Sequence, residues 1–493
     1  MPVDTTHPEY DEKQTEWQQL RDTVKGEAAV KAKTTTYLPK PNASDTSQAN
    51  ADRYDAYVKR AVFVEVTGRT KNSLVGAIFR KAPQQQLPAD LEYLLENADG
   101  SGQSLEQVGK QVCGELLEVG RVGLLVDYPN VEATPTREQE RALNLHPNIS
   151  IYQAEDIVNW RYIRHGGQTI LEMVVLKEAH PDPVDEYDTD NTTDKYRVLM
   201  LQDGVYTQRL YREGDGGYEL EFEVQPTDGA GNRWREIPFI IAGAEDNTGT
   251  VDNSPLYGLS AVNLAHYRNS ADLEEMLYLH GQGTLFVDIG EMSKELFDEA
   301  NPNGILVGSR AGHVLGRGGR AELLQLSATS HIKEAMSDKE NQMVSIGARL
   351  VQPVAGNKTA EQARIEAGAE SSVLSALTGN ASEAIEKCLE WAAVFEGVSL
   401  EDSEGEPAIV FELNQEFWPA MLQVPLRELL EAVDANVIPR EGVYNTLVRI
   451  GLIEEDWSWE DVKAMIQDDS RLSPGPEGLG DFAERLLGGG QGE

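Results

Sequence analysis

Three long helical segments crowd into residues 255–396, and what separates them constrains the fold more than any other feature of this 493-residue chain. Ser254 can cap the first free N–H groups of a helix, and the fixed φ of Pro255 suits its first turn. The helical pattern then runs through LYGLSAVNLAHYRNSADLEEMLYLHGQG, over residues 255–281, to Gly281 and Gly283. Short apolar runs alternating with glycine turns follow over 282–326: TLFVDIG, GILVG, GHVLG and AELLQL. A second helical pattern, 327–350, carries Ile332, Met336, Met343, Ile346 and Leu350 at helical spacing. The loop VQPVAGNK (351–358) interrupts it, and Thr359 with Gln362 makes a capping box for a third helix, TAEQARIEAGAESSVLSALTGNASEAIEKCLEWAAVFEG. Helices this long, bracketing a compact β insert, exclude an all-β chain.

The flanking regions read differently. Residues 1–50 form a polar arm with one helical patch, EKQTEWQQLRDTVKGEAAVKA, and residues 51–80 are expected to be helical on the recurrence of Tyr54, Tyr57, Ala61, Phe63, Val66, Leu74, Val75 and Ile78. KAPQQQLP breaks that pattern. Ser104 and Gln107 then open an amphipathic helix along Leu105, Val108, Val112, Leu116 and Val119, which Gly120 is suited to close in the left-handed conformation. VGLLVDYP reads as a buried strand. Over 150–245, the runs ISIYQ, MVVLK, YRVLML, YTQRLYR, YELEFEV and PFIIAG, parted by acidic and glycine-rich turns, predict an antiparallel β-rich region. One further strand, AIVFELN, precedes helical segments and a Gly- and Pro-rich end. The fold class is therefore mixed α+β.

Eighty-three acidic against 43 basic residues give a net charge of −40. A protein that grips nucleic acid carries the opposite balance, because affinity comes from cations displacing counterions at phosphates. A conduit that must not grip remains permitted. The start, MPVDTTHPEYDEKQ, has no apolar core of a signal peptide, and no stretch approaches the roughly 18 apolar residues of a membrane helix, so synthesis in a reducing cytoplasm and no membrane partner are expected. Cys113 and Cys388 lie in separate helical patterns; two buried thiols is the plainer reading, a disulfide the other.

Catalytic and metal signatures fail one by one. AGNKT (355–359) lacks the spacing of a phosphate-binding loop. GRGGR (316–320) opens no helix, so a hairpin turn is the better reading than a dinucleotide fingerprint, although its arginines could face phosphate or an acidic partner. The eight histidines, His7, His146, His165, His180, His266, His280, His313 and His331, form no H-x-x-x-H pair. DPVDEYDTDNTTD lacks the ligand spacing of an EF-hand and reads as solvated loop. Among so many carboxylates nothing singles out an acid–base pair. No cofactor, no metal and no enzymatic activity are expected.

The order helix, β insert, helix, short loop, helix resembles the core of the portal (head-to-tail connector) proteins of tailed bacteriophages. YDAYVKRAVFVEVTGRTKNSLVGAIFRKAP and SLEQVGKQVCGELLEVGRVGLLVDYP are similar to a portal-like amino-terminal region. SPLYGLSAVNLAHYRNSADLEEML and IGARLVQPVAGNKTAEQARIEAG resemble the segments before the clip and across the tunnel loop. The resemblance covers roughly residues 50–400. It implies a portal fold with a β-rich wing (51–254), stem helices at 255–281 and 327–350, a clip at 282–326, a tunnel loop at 351–358, a wing helix and strand at 359–415, and a crown-like helical region at 416–493, matched only by position.

It also implies a ring, usually of twelve copies, at one capsid vertex of the virion. Double-stranded DNA would pass through it during packaging and ejection, and the terminase large subunit, a head–tail adaptor, and the major capsid and scaffolding proteins would be partners. Gln352, Pro353, Val354, Ala355, Gly356 and Asn357 would line the channel, flanked by Arg349 and Lys358, which either meet phosphate or pair with neighbouring acids. Arg310, His313, Arg317 and Arg320 would be the basic groups of the docking clip. Ile332, Met336, Met343 and Ile346 would lie at contacts between stems of adjacent subunits, or else in an ordinary core within one chain. Another virion protein, such as an adaptor or baseplate subunit, and an enzyme with carboxylate chemistry are the rival readings.

Overall fold

The computed structural model of the chain describes residues 2–128, 145–214, 216–281, 284–302, 314–324, 330–350, 373–401, 405 and 407–415, with six single residues between 417 and 463. The chain divides into Met1–Gln415 and Glu416–Glu493. In the second unit the ring of Tyr444 lies 5.4 Å from that of Trp459. The rest of the helical, crown-like reading of 416–493 lies outside the described residues.

The first 50 residues are not a detached polar arm. Helix α1 (Pro8–Lys25) spaces Tyr10, Trp17 and Leu20 on one face and buries them, and α2 (Glu27–Ala32) buries Val30. Between them Gly26 takes φ +99°, where a Cβ would strike the Glu65 carboxylate. Helix α3 (Gln48–Arg60), capped by Ser47, and α4 (Val66–Ile78) replace the single helix expected over 51–80. The cause lies at AVFVEV. Its branched residues favour extended backbone, burying Ala61 and Phe63 while Val62 and Val64 face out. The backbone freed by the break is met by Ser270, whose hydroxyl accepts from Val62 N (3.0 Å) and donates to Val62 O (2.7 Å).

Strand β1 (Gln84–Gln86) and the short α5 (Tyr93–Glu96) lead to α6 (Leu105–Val119). Both halves of the expected capping box are present, Gln107 N–H donating to Ser104 Oγ and Ser104 N–H to Gln107 Oε1, and Gly120 closes the helix at φ +78°. The helix is buried nearly throughout. Strands β2 (Arg121–Asp127) and β3 (Asn148–Gln153) follow, then a five-stranded antiparallel meander in the order β4 (Ile157–His165), β5 (Gln168–Pro181), β6 (Thr192–Gln202), β7 (Val205–Gly214) and β8 (Gly217–Val224). With β9 (Phe239–Gly243), β2 and β3 make a second antiparallel sheet, ordered β3-β2-β9. Gly123 in the central strand leaves room for the Phe239 ring, which a Cβ would approach to 2.5 Å.

The long helices come next: α7 (Tyr257–Gly281), then β10 (Thr284–Asp288), α8 (Lys294–Ala300) and β11 (Arg320–Leu324), then α9 (Ser330–Arg349) and α10 (Val373–Glu396). Helix α7 begins two residues after the expected Pro255. Ser254 lies three residues before its start, and its hydroxyl donates to the carbonyl of Glu118 at 2.6 Å, tying the approach to the helix to the end of α6. Thr359 and Gln362, the expected cap of the third helix, lie outside the described residues. Helix α10 packs on α6, β2 and β9, with Asn380 donating to Gly243 O (3.0 Å) and Trp391 to Glu236 (2.9 Å). Strand β12 (Val410–Glu412) pairs antiparallel with β1, joining residues more than 300 positions apart, as in Gln84 with Glu412. Cys113 and Cys388 are both buried free thiols, and burial pushes the Cys113 thiol up to about 12.

Candidate functional site

The candidate site is the helix pair α7/α9 with the insert between its ends. What roots α7 is polar. Thr23 donates to Ser260 (3.0 Å) and Gln19 also donates to it (3.1 Å). Asn263 donates to Thr67 (3.1 Å), Arg268 to Tyr37 O (2.9 Å), and the Tyr57 hydroxyl to Asp272 (2.6 Å). Last along the helix, Glu275 takes Arg53 at 3.1 Å and also Arg60. Between these ties Leu264, Tyr267 and Ala271 join Tyr54, Tyr57, Phe63 and Val30 in one apolar cluster. Because α1, α3 and α4 each hold it, the first two-thirds of α7 is fixed in direction.

Beyond Glu275 the large apolar side chains are less covered. Leu277, Tyr278 and Leu279 are 42%, 49% and 50% exposed. Three successive residues on a helix point about 100° apart, so one neighbouring element cannot cover them all. Arg60 lies over the Tyr278 ring at 4.3 Å. Helix α9 returns alongside α7, with Glu340 3.4 Å from the buried His266. On α9 Met343 is buried within the single chain, Ile332, Met336 and Ile346 are half-buried, and Val344 is 73% exposed.

In the insert, β10 pairs antiparallel with β11 from Thr284–Leu324 to Asp288–Arg320. The predicted turn at 316–320 does form, closed by Gly319 N–H on Gly316 O (2.9 Å), but it does not join adjacent strands of a hairpin. It nests against the turn after β10, where Glu291 N–H donates to Arg317 O (3.2 Å), and α8 intervenes in sequence. Asn301 pins the approach through both side-chain atoms, donating to Val314 O and accepting from Val314 N at 3.0 Å each. Arg317 and Arg320 are exposed on the insert, and Phe286, Leu296 and Val314 are exposed there too. Arg310 and His313 lie outside the described residues, as do Gln352 to Lys358; Arg349 ends α9.

Sequence reasoning missed the roots of α7. Their sequence signal is a set of polar residues, Ser260, Asn263, Arg268, Asp272 and Glu275, interleaved with apolar ones along the helix, a pattern that asks where the partners are. The less covered end did have a signal, the run MLYL.

Carboxyl groups pushed upward do not converge. Burial raises Asp127, which accepts from Gln208, and raises Asp156, held by Gln153 N–H, to about 6. It also raises Asp252, which accepts from the backbone of Glu245 and Asp246. Each sits on its own element. Among the described residues no three His, Cys, Asp or Glu side chains are grouped to hold a metal, and no helix is long and apolar enough to cross a membrane.

Residues 255–396, the span of the three helices and the insert, match the family model described as "Domain of unknown function (DUF4055)". No curated protein matches the chain. Among solved structures, a chain of "Virion of native gene transfer agent (GTA) particle" is 14% identical at TM-score 0.38, with 78% of this chain and 89% of that chain covered. One of "Neck of empty GTA particle computed with C6 symmetry" is 14% identical at 0.38, with 87% and 99% covered. One of "Neck of native GTA particle computed with C12 symmetry" is 12% identical at 0.38, with 78% and 89% covered. The chain is thus similar to the DUF4055 family across the helix–insert–helix segment that forms its candidate site.

Proposed function

We propose that this chain is a structural subunit of a virion, and within that class a portal protein: a ring at one capsid vertex through which double-stranded DNA is packaged and ejected. The observation that carries the reading is the long helix α7, rooted over its first two-thirds and left with Leu277, Tyr278 and Leu279 uncovered where it runs into the β10–β11 insert. A helix end with apolar residues on several sides asks for neighbours on more than one side. Copies arranged head to tail and closed by rotation supply two. The portal-like wording of residues 50–400 supports the same reading, with α7 and α9 as stem and the insert as clip. On it, the clip docks the terminase large subunit during packaging and a head–tail adaptor afterwards, and the outer face meets capsid and scaffolding proteins.

The acidic balance suits a conduit. Like charges on wall and duplex keep DNA from sticking at close range, and salt confines the effect to about 8–10 Å. The function is mechanical, not enzymatic. Electron microscopy of the purified chain viewed down its symmetry axis tests the reading. The expected particle is a ring, of about twelve subunits by the resemblance, with an open channel wide enough for a duplex. A monomer, or a ring with a closed centre, overturns it, and a ring narrower or wider than a duplex points to an adaptor or baseplate subunit.

A further inference from the structure

The segment before α1 crosses the free edge of the five-stranded sheet. His7 N–H donates to Val158 O (2.9 Å) and Asn159 donates to Thr5 O (2.9 Å), so the segment occupies the unpaired side of β4. Farther along, Glu9 accepts from Val251 N–H (3.2 Å) and the Tyr10 hydroxyl donates to Glu155 O (2.9 Å). His7 is the centre of these contacts. Its Nδ1 accepts from Glu9 N–H (3.3 Å), capping α1, and its ring stacks on buried Trp160 with centroids 4.0 Å apart.

The same indole carries a second group. The guanidinium of Arg121, fully buried, lies 3.9 Å from the Trp160 ring and donates to Gly249 O (3.0 Å), while its Nε and Nη2 have no hydrogen-bond partner among the described residues. No ion pair joins Arg121 to a carboxylate there either. Glu9 and Asp252 act on Arg121 through space without an ion pair, and a buried cation not neutralised in direct contact disfavours a second cation on the same ring.

We propose that Pro2–Glu9 is an acid-released strap: a proton on His7 Nδ1 removes the acceptor that caps α1 and sets a second positive charge against the Trp160–Arg121 stack, so the strap lifts and bares the edge of β4. No covalent step is involved; one proton is taken up from solvent as the strap opens. The charged groups facing the imidazole are Glu9 and Asp11 from its own segment and Arg121 from β2, while β4 presents the uncharged Trp160. Burial, with the charge of Arg121, holds the imidazole below its ordinary 6.5 against the opposing pull of Glu9 and Asp11. The closed strap therefore prefers neutral His7. Closure is complete above about pH 6.5 and weakens as pH falls below it, by up to about tenfold per pH unit for one proton. Baring an edge strand matters because its free N–H and C=O groups are a template for pairing with another chain.

Hydrogen exchange of the full-length protein tests this. Protection of peptides covering 2–10 and 249–253, corrected for the intrinsic pH dependence of exchange, is compared at pH 7.5 and 5.5. The expected result is a loss of about threefold or more at the lower pH in the native sequence and no change in His7→Asn, which keeps a capping oxygen and cannot titrate. His7→Phe, which keeps the stack without a proton to gain, covers the case in which asparagine alone does not hold the strap. Unchanged protection in the native sequence overturns the proposal. So does an equal loss in both variants, which would assign the pH response to the carboxylates.

Discussion

At the scale of single residues, one guanidinium holds the amino-terminal helix to the core. Arg21 meets Glu115 at 2.6 Å, Glu118 at 3.2 Å and Glu155 at 2.8 Å, and both Glu115 and Glu118 are buried. Removing a charge from such a group strands the others in a medium that solvates them poorly. Arg21→Ala should cost about 3–5 kcal/mol of unfolding free energy by urea titration; a loss below about 1 kcal/mol would mean that Lys71, which also pairs with Glu118, suffices alone. The same contacts set an acid dependence. Burial, the largest influence, tends to raise Glu155 and Glu178, but the hydrogen bonds and charges of Arg21 and Arg197 together with smaller contacts hold both carboxyls low. Stability from these pairs is present above the ordinary glutamate value of 4.5 and is lost as pH falls through the depressed ones. Asp156 runs the other way: raised to about 6, it opposes folding as pH climbs from 3.8 through 6. Arg21→Ala should therefore flatten the acid limb of a stability–pH curve, since Glu155 loses the partner that depresses it. A limb as steep as that of the native sequence would refute this.

At the scale of elements, the separation between what is covered in one chain and what is not yields opposite expectations for two sets of substitutions. Met343 is buried between the chain's own helices, so Met343→Ala should lower the stability of the single chain by about 2–5 kcal/mol. Leu277→Ser with Leu279→Ser should leave single-chain unfolding within about 0.5 kcal/mol and reduce the oligomer mass seen by light scattering. If the pair instead unfolds the chain, these residues belong to its core. Elements whose signal is local were legible from sequence: the cap at Ser104, the left-handed Gly120 and the alternating strands of 150–245 all rest on neighbours within a few residues. Elements set by distant partners were not. Ser254 looked like a cap, but the helix begins three residues later and the hydroxyl donates to the distant Glu118 carbonyl; residues 61–65 looked helical until Ser270 offered hydrogen bonds to an extended chain; and the QQQ of β1 pairs only because residues 410–412 come to meet it. The polar look of residues 1–50 was misleading for a related reason. One Tyr, one Trp, one Leu and one Val over two helices is a thin stripe, but α4, α6 and α7 converge on it. Of the candidate site, the helices and insert were legible because amphipathic period and glycine turns mark them, whereas the ion pairs of Arg53 and Arg60 with Glu275 that aim α7 join it to α3, more than 200 positions away in sequence.

At the scale of the whole molecule, a net charge of −40 must be reconciled with a proposed duplex inside the ring. Proteins that bind DNA through cations release counterions, and their affinity falls steeply with salt. A chain with 83 acidic against 43 basic residues releases few such counterions, and its dominant long-range interaction with phosphate is repulsion. Added salt shortens the reach of that repulsion from about 30 Å at 0.01 M to about 8 Å at 0.15 M. The sign of the salt effect is therefore diagnostic. If the channel is a loose conduit, the assembled protein should show no measurable affinity for a fluorescent duplex at low salt, and any association should strengthen, not weaken, between about 0.01 and 0.15 M. Fluorescence anisotropy across that range reads it directly. Affinity that is strongest at low salt and declines with a steep negative slope would reveal a basic grip on phosphate, and the protein would have to be understood as a DNA-binding machine instead of a passage.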